Sequence, residues 1–385
     1  MVRPEVEGIR PDIRVINLSL LGVDWYIEQQ RKAVNESPAI PMSWTPDKYR
    51  GENRNYIRFY DAGIFPQDKF YNLKEVMNFM GSDDDRFRAG TQNGDRVNFL
   101  PTDKLFIPVD KETVLKNGTV APEDSAKIET QLGFVLSKKI LYKNDLAVYD
   151  IIATNDWKRP IYFTSPTDLG LGEYLRVDGL TYRLVPIRKP ASQEYLPGLT
   201  DHVNVPVAYD NLMNKFVFGN ADKPGVYFDE PNRRMLQGIR NAYTKVGVAL
   251  AKESEKEKAL KVLNRADSML ANPNFPYAMT SPGNVHNMYS MEVAYAYYLA
   301  GDLKKGNAVS AEIEKDLKQQ IAYYRDLPAN RMTNDLQDDA NRAQQFLGYL
   351  DELKRQFNGP AQQPLEGQGQ FNTGAGAPAA DTGKK

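Results

Sequence analysis

MLQGIRNAYTKVGVALAKESEKEKALKVLNRA, residues 235–266, decides the fold of the second half of this chain. Met235, Ile239, Ala242, Val246 and Leu250 recur at helical spacing behind Pro231, a proline placed where a first turn tolerates one. A second helix is predicted over 255–270. Tetratricopeptide units are helix pairs of 34 residues with small side chains where two helices cross and large ones between the crossings. With Gly247 in the eighth position, Tyr243 takes the fourth, Leu250 the eleventh, Ala259 the twentieth, Leu263 the twenty-fourth and Ala266 the twenty-seventh, all of acceptable type. A unit set on Ala294 puts Tyr297 at the eleventh position, Gly301-Asp302 at the turn and Gly306 at the twentieth. Residues 272–284 are then an insertion between repeats, and further helices are predicted over 285–299, 303–324 and 335–357. An ordinary antiparallel bundle with small residues at its crossings is the competing reading.

Upstream the pattern changes. Ile13 to Leu21 (IRVINLSLL) is a β-branched apolar run stopped by Gly22, which predicts a buried strand, and Asp24 can cap a helix from Trp25 to Val34. Tyr56 to Tyr60 is a second strand candidate, and Asn72 can cap a helix through Met80 that ends at Gly81. Strand then helix, twice, predicts an α/β layer. Short extended pieces are then expected at Lys104 to Val109, Val114 with Leu115, Ala147 to Ile152, Pro160 to Thr164 and Tyr182 to Ile187. The resulting organisation is an α/β (or α+β) domain over 1–190, an irregular connector over 191–228, an all-α tetratricopeptide-like domain over 229–357 and a disordered tail over 358–385. The tail is Gly, Ala, Gln and Pro with little to bury.

Composition narrows the function classes. Forty-nine Lys and Arg against 50 Asp and Glu leave a net charge of -1, so no general attraction to nucleic acid exists. With no Cys there is no thiolate metal site and no cysteine nucleophile. Apolar runs are too short to span a bilayer, so no direct membrane insertion is expected. Only two histidines, His202 and His286, are present, and they fall in different domains, which leaves little material for a histidine metal site or a serine triad. No cofactor and no metal are expected.

Two clusters carry some chemical promise. Asp83 and Asp85 have the Asp-x-Asp spacing with which paired carboxylates hold a divalent cation against a diphosphate. Here the triplet follows a helix and Gly81-Ser82, with Arg86 and Arg88 behind it, which favours a self-neutralising loop. Trp157, Lys158 and Arg159 stand ahead of the strand at 161–164, an aromatic with two cations that would suit a sugar or a phosphate. The plainer alternative is that Trp157 plugs the core and the cations cap a helix end. Gly170-Leu171-Gly172 is a weak fragment of a phosphate cradle.

Three strings are family-specific: EVEGIRPDIRVINLSLLGVDWYIEQ (5–29), NFLPTDKLFIPVDKETVLKNG (98–118) and KNDLAVYDIIATNDWKRPIYF (143–163). They resemble the carboxy-terminal region of a large bacterial membrane-protein family, abundant in Bacteroidetes and related in its membrane half to the human transmembrane O-mannosyltransferase of plexin-type receptors. The resemblance spans roughly Glu5 to Phe357. It implies a polytopic glycosyltransferase that uses a lipid-linked sugar, whose catalytic base belongs to a membrane-domain loop with no counterpart here. No catalytic residue can be carried over. It also implies an extracytoplasmic (periplasmic) setting, with the chain's own missing membrane domain and a protein or peptide acceptor as partners. Members usually have a strand before the segment matching Glu5, so a truncated first strand and an aggregation-prone edge beside Ile13 to Leu21 are expected. The leading functional expectation is acceptor recognition. A structural or protein-interaction module of an envelope assembly, and an independent α/β enzyme on sugar or phosphate substrates, are the alternatives.

Overall fold

The computed structural model describes residues 10–90, 93–165, 168–189, 202–271 and 273–358. Helix α1 (Asp24–Gln30) comes first, then strand β1 (Tyr56–Phe59) and strand β2 (Tyr71–Asn72), which runs straight into helix α2 (Leu73–Gly81). The Asn72 side chain accepts the Lys74 amide at 2.9 Å and so starts α2 where the sequence predicts. Strands β3 (Phe99–Leu100), β4 (Lys104–Pro108), β5 (Gln131–Val135) and β6 (Ile140–Tyr142) follow, then helix α3 (Lys143–Asn155) and strands β7 (Tyr162–Phe163), β8 (Leu175–Val177) and β9 (Tyr182–Leu184). They form small three-stranded sheets in the orders β3-β1-β6, β2-β4-β5 and β8-β9-β7, with parallel pairing only between β1 and β3 and between β2 and β4. The first half is therefore mixed α/β. Its core gathers Ile57, Leu73, Met77, Leu100, Leu132 and Leu146 around α2 and α3.

Three expectations fail here for physical reasons. Ile13 to Leu21 is not a buried strand: it joins no sheet among the described residues, and Leu20–Gly22 is a single 3-10 turn. Arg14 takes an inward place instead, donating to the carbonyls of Lys32 at 2.9 Å and Ser37 at 3.3 Å, while Ile13 and Val15 are 42% and 48% exposed. Ala147 to Ile152 lies inside α3, which is buried on nearly every side and so has no polar face to mark its helical period. Val114 and Leu115 belong to a short helix, Lys111–Lys116, whose Asp110 cap accepts the Glu112 and Thr113 amides.

The second half is helical: α4 (Val205–Asp210), α5 (Glu230–Lys252), α6 (Lys256–Met269), α7 (Val285–Ala300), α8 (Leu303–Arg325) and α9 (Asn334–Asn358). The irregular connector is corrected in part, because α4 lies within it; Pro206 occupies a first turn rather than breaking a helix. Residues 191–201, and the tail from 359, lie outside the described residues. α5 packs on α6 and α7, and α8 packs on α7 and α9. A Cβ on Gly247 would lie 2.7 Å from a Leu263 methyl, and one on Gly306 would lie 2.6 Å from the Tyr298 ring, so both crossings depend on the missing side chain. The Tyr298 ring is itself stacked on Phe357 at 5.1 Å. Tyr243, Val246, Leu263, Ala294, Ile313 and Leu350 share a second core. Lys245 of α5 donates to the Tyr182 hydroxyl at 2.7 Å, a direct link between the halves.

Both histidines are packed as neutral rings. His202 meets the Leu175 carbonyl at 3.1 Å, His286 meets the Pro276 carbonyl at 2.9 Å, and burial pushes each down to about 4. A ring whose pKa is depressed on folding leaves the unfolded chain binding more protons, so its stabilisation is complete above pH about 6.5 and declines as pH falls toward 4. Each histidine is expected to withdraw roughly 2 kcal/mol between pH 7.5 and 5. Buried Asp150 and Asp178, whose carboxyls burial pushes up, work in the opposite sense at lower pH. Urea unfolding at the two pH values, compared with His202→Gln and His286→Gln, measures the loss; an unchanged midpoint in the parent chain contradicts it.

Candidate functional site

Trp157 follows the carboxyl end of α3, where Asp156 and Trp157 both take left-handed backbone angles, φ 45° and 58°. That turn drives the indole inward: it is 7% exposed, its Nε1 donates to the Pro108 carbonyl at 2.8 Å, and its own carbonyl accepts from Asn117. Lys158 points to solvent, 3.5 Å from Asp156. Arg159 reaches back to the Pro38 carbonyl at 3.2 Å and the Ser37 hydroxyl at 3.0 Å. Trp157 and Arg159 line one cavity with Ile107, Asn155 and Leu184, but at about 10 Å³ it has room for a water and not for a sugar, and Lys158 points away from it.

Asp83 is a counter-ion. Arg54, with a side chain only 2% exposed, donates to the carbonyls of Met80, Gly81 and Ser82 at 3.1 Å each and to the Asp83 carboxylate at 2.6 Å. It thereby caps the carboxyl end of α2, where carbonyls lack helical partners. Lys48 and Arg88 also reach Asp83, and the bonds from Lys48 and Arg54 hold its carboxyl down to about 2. Asp84 accepts its own neighbour Arg86, and Asp85 meets Arg88 at 3.4 Å. No three His, Asp or Glu side chains converge as metal ligands among the described residues. Lys74 meets Asp156 at 3.5 Å, which sets Trp157 near the start of α2, whereas Asp83 lies past its end. α2, of nine residues and about 13 Å long, lies between these points, and neither Asp83 nor Asp85 lines the cavity beside Trp157.

The concavity that sequence reasoning missed lies beside β5. It is a groove of about 1110 Å³ whose lining includes Gly133, Gly170 and Gly172 with Phe70, Glu129, Glu173 and Arg188. Gly170 is required there: its φ is 74° and a Cβ would lie 2.6 Å from the Val135 carbonyl oxygen. Arg188 binds Glu129 at 3.0 Å, Glu173 and the Tyr174 hydroxyl, and that hydroxyl donates to the second Glu129 oxygen at 2.9 Å. Burial and Glu129 push Tyr174 up to about 12, so it remains a donor. Asp168 accepts the Ser137 hydroxyl at 2.6 Å. The Gly-x-Gly at 170–172 is the one sequence feature that could have led to this groove.

A second exposed feature is the outer face of sheet β3-β1-β6. Tyr56 and Tyr142 are cross-strand partners, 52% and 57% exposed, and the Arg58 guanidinium stands 5.3 Å from the Tyr56 ring. No helix among the described residues is long and apolar enough to cross a membrane.

No curated protein and no solved structure matches the chain. A family model does: TMEM260-associated domain 2 matches residues 2–206, the α/β half through the start of α4. That match covers more than half of the 385 residues and includes all three family-like strings and the groove, and the chain belongs to the TMEM260-associated domain 2 family.

Proposed function

We propose that this chain is the non-catalytic part of a larger TMEM260-like membrane glycosyltransferase, on the extracytoplasmic side, and that it recognises or positions a polypeptide acceptor beside its membrane domain. The observation that carries this reading is the family match over residues 2–206. Two further features support it. The carboxylates and cations with catalytic spacing are spent on each other or on backbone carbonyls. The stacked helices α5 to α9 offer the extended surface that tetratricopeptide-like repeats use for peptides.

Titration calorimetry of the chain with extended Ser/Thr-rich peptides tests it, hydroxyl side chains being the acceptors an O-linking enzyme needs. Saturable heat with a dissociation constant on the order of micromolar is expected. A flat titration for every peptide counts against acceptor recognition. An interaction module of an envelope assembly is the second reading, favoured by the bare Tyr56-Arg58-Tyr142 face, because tyrosine and arginine dominate protein interfaces.

A further inference from the structure

The groove beside β5 can be assigned a ligand class by asking what its chemistry accepts. An extended peptide adding to the strand needs the free edge of β5. The bonds from Val109 to the Thr130 carbonyl at 3.0 Å and from Leu136 to the Asp103 carbonyl at 2.8 Å fix the ladder's phase. Gln131, Gly133 and Val135 therefore turn their backbone groups away from β4. That edge is already covered. The Glu129 amide donates to the Pro186 carbonyl at 2.9 Å, the Tyr174 hydroxyl takes the Gly133 amide, and Gly170 presses on the Val135 carbonyl.

Anions and cations fit no better. Glu129, Asp168 and Glu173 outnumber the nearby cations Arg188 and Lys189, which disfavours a phosphate or carboxylate ligand. Arg188 in turn neutralises Glu129 and Glu173 in a fixed lattice, which leaves little net pull on a metal or an ammonium group. What remains is a lining with three glycines, the half-exposed Phe70 ring, carboxylate and guanidinium groups already bonded to one another, and the Gln131 carboxamide.

We infer that this groove binds a neutral saccharide. A pyranose has an apolar C–H face for the Phe70 ring, which is 41% exposed, and vicinal hydroxyls that both donate and accept. Glu129 and Glu173 accept from such hydroxyls, Arg188 donates, and the Gln131 carboxamide can do either. The glycines at 133, 170 and 172 let the ring approach the backbone closely. The inference goes beyond acceptor recognition because it stands on the groove alone.

The test titrates the chain with maltose, cellobiose, mannobiose and chitobiose, read by calorimetry and by saturation-transfer NMR. At least one disaccharide is expected to bind with a constant on the order of 0.1–1 mM, as suits a small solvent-facing polar site. Phe70→Ala and Glu129→Gln are each expected to weaken it about 10-fold or more, that is by about 1.4 kcal/mol. Gly172→Tyr, whose Cβ enters open space, is expected to abolish it by filling the groove. Thermal melting of each variant establishes that the fold is intact. No binding across the panel, binding indifferent to all three substitutions in folded protein, or preference for a phosphate or a peptide in this groove overturns the inference. Peptide titration stays a separate readout, so acceptor recognition can survive a failed saccharide test and the reverse.

Discussion

Arg54→Ala is expected to cost the α/β half on the order of 3–5 kcal/mol, enough to unfold a domain of ordinary stability. The guanidinium serves six acceptors at once: the Lys48, Met80, Gly81 and Ser82 carbonyls, the Asn53 side-chain oxygen and Asp83. Its removal takes the side-chain donor from the Met80 and Gly81 carbonyls in a place where the Arg54 side chain was 2% exposed, so water cannot simply replace it, while the Ser82 carbonyl keeps Asn98. Arg54→Lys keeps the charge but loses the planar fork, and about half of the loss is expected. Asp83→Asn removes only the charge of one of the six acceptors, at a half-exposed position, and is expected to be mild. Urea denaturation of the three variants measures the order; an Asp83→Asn loss as large as Arg54→Ala would show that Asp83 matters for more than the cap.

The counterpart in the helical half is Arg240→Ala, again with a loss of about 3–5 kcal/mol. Arg240 lies between the Phe275 ring at 4.0 Å and the Tyr277 ring at 4.6 Å and donates to the Phe275 and Pro276 carbonyls at 3.0 and 3.2 Å. Burial pushes its pKa down to about 10, which still leaves it charged at neutral pH. One side chain thus pins the long segment between α6 and α7, aided by His286 on the same Pro276 carbonyl and by Tyr277 on Asp267. Arg240→Met keeps the apolar stem between the rings and is expected to lose less, because the Phe275 carbonyl loses its donor while the Pro276 carbonyl keeps His286. Hydrogen exchange should show the loss first in residues 273–284. Equal losses for Ala and Met would mean that the stacked stem contributes nothing.

How much of this was legible depended on how local the cause was. Helices α5, α6, α8 and α9 could be read because each exposes a polar face and because small residues mark the crossings, with Gly247 against Leu263; α7, buried almost throughout, is legible from its length and the Gly301-Asp302 turn behind it. The Asn72 cap and the Pro231 first turn are equally local. α3 was misread because its surroundings bury it from all sides and erase the period. Ile13 to Leu21 forms no strand because Arg14, the one charged residue in the run, finds four distant carbonyls and takes the inward position.

The site was harder for the same reason. Asp83 and Asp85 had catalytic spacing, but the partner that explains Asp83 is Arg54, 29 residues earlier, and the acceptor that buries Trp157 is Pro108, 49 residues earlier. No pattern in one sequence announces such pairs. The groove combines 129–135, 168–173 and 188, with glycines contributing space rather than groups. Absent side chains leave little trace in a sequence, and Gly170-Leu171-Gly172 by itself reads as a weak fragment of a phosphate cradle.

Binding without turnover is the central claim, and intact-mass spectrometry tests it most directly. The purified chain is incubated with a Ser/Thr-rich peptide and both a polyprenyl-linked and a nucleotide-linked mannose. Peptide of unchanged mass is the predicted result. A hexose added to the peptide, and lost again in Asp83→Asn or Asp85→Asn protein that melts normally, would contradict it.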